Sequence, residues 1–106
     1  MFDFCNMMDN YEERVVANFE NGELVVDTAA VTDGTHPFET GITSPEYNSG
    51  KWVIVEAYDT KELAQAGHDK WVKIMTENPP NQLRDCQNAH ISQLLDGEML
   101  VFHRKH

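Results

Sequence analysis

The sequence predicts an α+β fold: an antiparallel sheet of four to five short strands with two helices packed on one face. Three stretches carry that expectation. Asn21-Gly22, set between valine-rich runs, is the favoured pair for a two-residue turn joining two strands. "KWVIVEAYD" alternates along a β-branched run. After Asp59, apolar residues recur at helical spacing.

Taken in order, residues 1–11 ("MFDFCNMMDNY") mix apolar and acidic residues without a cap or period, and read as a loosely attached arm. Phe2 and Phe4 make a partner-binding or dimer-exchange segment its functional alternative. In the hairpin, a turn centred on Asn21-Gly22 sets Phe19 against Leu24, Ala17 against Val26 and Val15 against Thr28 on one apolar face. The mixed face then pairs Asn18 with Val25 and Val16 with Asp27. The Gly- and Pro-broken segment that follows reads as loop, with a short extended piece around Phe38 to Thr43. "KWVIVEAYD" predicts a central strand with Trp52, Ile54, Glu56 and Tyr58 on one side and Val53, Val55 and Ala57 on the other. Asp59, with Glu62 three residues on, predicts the cap of a helix ending near Met75 or Glu77. Asn78-Pro79-Pro80 ends it and starts a second helix over 80–95, stopped by Asp96-Gly97. "EMLVFH" closes the chain as a strand.

A chain of 106 residues suits one domain with one core. The longest apolar runs, "WVIV" and "MLVF", are far below the roughly 20 residues that cross a bilayer, and the acidic start lacks a signal peptide's basic region. The expectation is a cytoplasmic protein with no membrane contact. Cys5 and Cys86 stand apart without metal-ligand or disulfide spacing and read as free thiols. The net charge of −10 is uneven: residues 1–50 carry ten acids against Arg14 alone. That half would repel a phosphate backbone, which disfavours nucleic-acid binding and leaves solubility or a basic partner as its purpose.

Gly67 and His68 stand side by side within the predicted helix. Gly67 falls in the stripe of Leu63, Ala64, Trp71, Ile74 and Met75, where the lack of a Cβ allows close approach to the sheet. His68, at the stripe's edge, reads as an imidazole hydrogen-bonded to a carboxylate or carbonyl. No nucleophile, oxyanion device or second base stands at defined spacing from it, so neither a catalytic residue nor a cofactor is assigned. His90 reads as a core residue of the second helix, and a metal site joining His68, His90 and His103 would need three separate elements.

The strand "VVDTA", the loop "PFET", the "YDT" before the helix and its "AQAGH" resemble small uncharacterised proteins of tailed bacteriophages and of actinobacterial genomes and prophages. The match runs from about Val25 to His68. The resemblance implies a phage or mobile-element accessory protein and no particular activity. It directs attention to Phe38, Glu39 and Thr40 as a recognition loop, with Tyr58 and His68 beside it. The resulting expectation is a non-enzymatic acidic interaction module with a protein partner, a homodimer being compatible with it. The alternatives are a small enzyme or ligand-binding protein using His68 and Glu39, and an acidic mimic of nucleic acid.

Overall fold

The computed structural model describes residues 14–31, 36–86 and 100–105. Its elements run β1 (Val15–Asn21), β2 (Leu24–Ala30), β3 (Phe38–Thr43), β4 (Val53–Tyr58), α1 (Lys61–Glu77), β5 (Gln82–Asp85) and β6 (Leu100–His103). The first four strands form one antiparallel sheet in sequential order, and β5 pairs with β6 in a second, two-stranded sheet. The α+β class therefore holds, with one helix among the described residues rather than two.

The hairpin forms, but its register lies two residues from the expected one: Phe19 faces Val26 and Asn21 faces Leu24. The two central residues of the turn are thus Gly22 and Glu23, and Gly22 alone takes a positive φ, +63°. That is the requirement of a turn with glycine first, not of one needing two left-handed residues. Because side chains alternate with a period of two, a two-residue slip preserves the faces. Phe19, Val26 and Ala17 keep their common side, now with Thr28 opposite Ala17. A bulge between Val15 and Ala17 then shifts Val15 opposite Ala29.

β4 lies at the end of the four-stranded order rather than at its centre. A second bulge, between the pairs of Thr40 and Gly41, sets Thr40 against Glu56 but Gly41 against Ile54. This irregularity breaks the single row expected for Ile54, Glu56 and Tyr58. It puts Glu56 and Tyr58 on the side of Thr40, beneath the helix, and Ile54 on the other side with Gly41.

Thr60, not Asp59, caps α1: its Oγ1 accepts from the Leu63 amide at 3.1 Å. The helix ends at Glu77 before the prolines, as expected. Val26, Ile42, Tyr47, Val53, Val55, Met75 and Leu83 form the core, with Phe19, Leu24, Trp71, Val72, Ile74 and Phe102 packed around them. Each fully buried aliphatic side chain there is worth about 1.5–3 kcal/mol. Tyr47 is enclosed within this core, and its hydroxyl donates to the carbonyl of Pro80, tying the segment after α1 to the sheet.

The second helix expected over 80–95 is corrected at its start. Gln82–Asp85 alternates exposed and buried residues, a strand period, and takes its backbone hydrogen bonds from the closing strand. Leu83 faces Phe102 across this pair and enters the core. Available pairing with "LVFH" outweighs a helical spacing read from Leu83 and Cys86. The remainder of that expected helix, with His90 and the Asp96-Gly97 stop, lies outside the described residues, as do the 1–11 arm and Cys5.

Candidate functional site

Where α1 crosses the sheet, the inward positions of three successive strands carry hydroxyls instead of aliphatics. Thr28 of β2, Thr40 of β3 and Tyr58 of β4 are all buried. Thr28 Oγ1 and Thr40 Oγ1 are 2.6 Å apart, and Thr40 Oγ1 lies 3.0 Å from the Tyr58 hydroxyl. From the helix, His68 Nδ1 reaches Thr28 Oγ1 at 2.9 Å. At the other end, Tyr58 donates to Glu56 Oε1 at 3.1 Å, an oxygen that also accepts from Lys70 Nζ at 2.6 Å and Trp71 Nε1 at 2.9 Å. The result is one continuous chain: His68, Thr28, Thr40, Tyr58, Glu56.

Proton counting gives the chain a direction. An ionised carboxylate only accepts, so the single Tyr58 proton is committed to Glu56. Tyr58 must then accept from Thr40, and Thr40, its own proton used, must accept from Thr28. Thr28 has no proton left, so His68 Nδ1 carries the hydrogen that closes the last link. The imidazole is thereby held in one tautomer, with Nε2 unprotonated in the neutral form.

The ionisation states agree with that order. Burial would raise the Glu56 carboxyl, but the hydrogen bonds from Lys70 and Trp71, the Lys70 charge and the Tyr58 hydroxyl outweigh it and hold the group below its ordinary value. Burial, and secondarily the neighbouring Glu56 charge, drive the Tyr58 phenol well above its ordinary range against the opposing bond with Thr40. His68 is only 4% exposed, and burial lowers its pKa against the pull of the Asp69 and Asp27 carboxylates. A neutral histidine, an un-ionised tyrosine and an ionised glutamate are the states the chain requires.

Gly67 makes the crossing close enough for this to work. A Cβ built on it would coincide with the Tyr58 ring and hydroxyl, so the tyrosine occupies the space that any other residue at 67 would fill. The close approach expected at Gly67 is present, and its partner is Tyr58.

The Glu56 end opens into a cleft of about 400 Å³ between β4 and the first half of α1, walled by His36, Glu56, Tyr58, Asp59, Leu63 and Lys70. Ala57, Ala66 and Gly67 complete its lining. Leu63, expected in the buried stripe, is instead 55% exposed and forms part of this wall. Lys70 spans from Glu56 to lie over the Trp71 ring, 5.5 Å from its centroid. His36 Nδ1 and Asp59 Oδ1 meet at 2.6 Å on the rim. No hydrogen bond among the described residues reaches Glu56 Oε2.

Of the residues singled out in the sequence, Thr40, Tyr58 and His68 meet in the chain. Phe38 is half-buried and pairs with Tyr58: the extended piece expected around Phe38 to Thr43 is β3, so Phe38, Glu39 and Thr40 stand on a strand and not in a recognition loop. Glu39 pairs with Ala29 and Ala57, and strand alternation turns it away from the face Thr40 presents. His103 is exposed on β6, and no group of His, Cys, Asp and Glu among the described residues could hold a metal ion. Sequence reasoning missed Thr28, Glu56, Leu63 and Lys70. The available signal was Glu56 itself, an acid within the apolar row expected for β4. No family model matches this chain, and no curated protein or solved structure is significantly similar to it.

Proposed function

We propose that this protein is a non-enzymatic binding module that engages a basic protein partner, with the cleft between β4 and α1 receiving a cationic side chain. The observation that carries this reading is Glu56: an ionised carboxylate in a wall of Leu63, Ala57 and Ala66, with one oxygen open to a donor. Glu56 and Asp59 against Lys70 leave the cleft an excess of negative charge. An aliphatic stem would lie on the apolar lining while its charged head meets the carboxylate. The overall charge of −10 favours encounter with a basic surface. Resemblance of the "VVDTA" and "AQAGH" segments to phage proteins fits an accessory adaptor that docks on a host or virion protein. The neighbouring chemistry favours binding over catalysis: His68 is buried and committed to Thr28, while burial moves both the Tyr58 hydroxyl and the Cys86 thiol away from ionisation.

The test is amide NMR mapping of the 106-residue protein with a short peptide carrying both lysine and arginine. Shifts confined to Ala57, Leu63, Ala66 and Lys70, weakening as salt rises and the screening length falls below about 10 Å, are the expected result. Shifts elsewhere, or binding indifferent to salt, would contradict the reading.

A further inference from the structure

We propose that the cleft selects a lysine side chain of its protein partner over an arginine. This rests on the reading that the cleft receives a cation, and concerns which cation it takes. A carboxylate grips a guanidinium best with both oxygens, through two parallel N–H···O bonds; an ammonium is a compact point charge that needs only one. Glu56 cannot offer both. Its Oε1 already accepts from Tyr58 at 3.1 Å, Trp71 at 2.9 Å and Lys70 at 2.6 Å, three donors on an atom with about two acceptor positions. Two of those donors are fixed: the tyrosine is buried and held by Thr40, and the Trp71 indole is packed against the core. Only Oε2 remains, so the fork of an arginine finds one tine matched and the other facing an occupied oxygen.

The remaining walls point the same way. Leu63 and Ala66 flank a path suited to a flexible methylene stem, and the Trp71 ring beside the cleft already has Lys70 over it. Asp59 on the rim is engaged by His36 at 2.6 Å and is 72% exposed, so it adds long-range attraction without supplying a second fixed oxygen.

Three peptides identical but for a central lysine, arginine or Nε-acetyl-lysine distinguish the outcomes, each titrated by NMR into the wild-type chain and into Glu56→Gln. Loss of one matched hydrogen bond predicts that the lysine peptide binds about fivefold or more tightly than the arginine peptide, with no saturable binding by acetyl-lysine. Glu56→Gln should abolish the preference. Because that change touches the buried chain, Leu63→Ser serves as a second variant that leaves the chain intact; it should weaken the lysine peptide while the folded spectrum persists. Equal or tighter arginine binding overturns lysine selection and leaves the basic-partner reading standing. Binding of acetyl-lysine equal to lysine, or no binding by any of the three, overturns both.

Discussion

At the scale of single residues, Gly67 and His68 have separate tasks that their adjacency conceals. Gly67 is a space requirement. Alanine is the better helix former by about 1 kcal/mol, yet its methyl would land on a tyrosine that is buried and hydrogen-bonded on both sides. Gly67→Ala is therefore expected to cost about 1–3 kcal/mol in urea unfolding. In a Tyr58→Ala background the same change should become neutral or stabilising, a coupling that a simple helix-propensity effect would not produce. His68 is a proton requirement. Its pKa is lowered in the folded protein, so the unfolded chain takes up the proton first as pH falls. The stability it contributes is complete above its ordinary value of 6.5, drains below that, and is gone once pH has passed the lower folded value. Urea midpoints measured from neutral pH downward should fall more steeply for wild type than for His68→Gln. Parallel curves would show that this imidazole is not the group being protonated.

At the scale of elements, strands and the long helix were legible because their signals are local, whereas the features that build the site are not. The hairpin shows the boundary well. Asn21-Gly22 correctly marks a turn, but which residue takes the left-handed conformation depends on register, and Gly22 at +63° takes it alone. Gly22→Val is expected to cost about 1–2 kcal/mol, and Asn21→Ala, at a strand end, only a few tenths. Comparable losses at both positions in thermal unfolding would restore the turn centred on Asn21-Gly22. The bulge in the β3–β4 pairing had no local signal at all, yet it is what brings Glu56 under the helix. β5 was misread for a related reason: four residues are too few to show a period, and their strand character comes from a partner at Leu100–His103.

At the scale of the whole molecule, five residues from four elements form a path from the helix–sheet core to the cleft, with His68 and Thr28 separated by 40 positions in the chain. Three of these, Thr40, Tyr58 and His68, were visible as candidates, but nothing in "VVDTAA" marks Thr28 as their link. A threonine among valines is ordinary strand composition until the register is known. Leu63 was hidden by the opposite effect, since helical spacing places it in the apolar stripe while its side chain lies over the open cleft. This path has a direction. Tyr58 gives its proton to Glu56 Oε1, the oxygen that Lys70 and Trp71 also occupy. That direction fixes the imidazole at the far end, so the ring nitrogens of His68 report on the whole chain. Long-range ¹H–¹⁵N NMR at neutral pH measures it directly. The prediction is a neutral His68 with Nδ1 protonated and Nε2 bare. An Nε2–H tautomer would reverse the last link and contradict the donor order that carries the Tyr58 proton to Glu56.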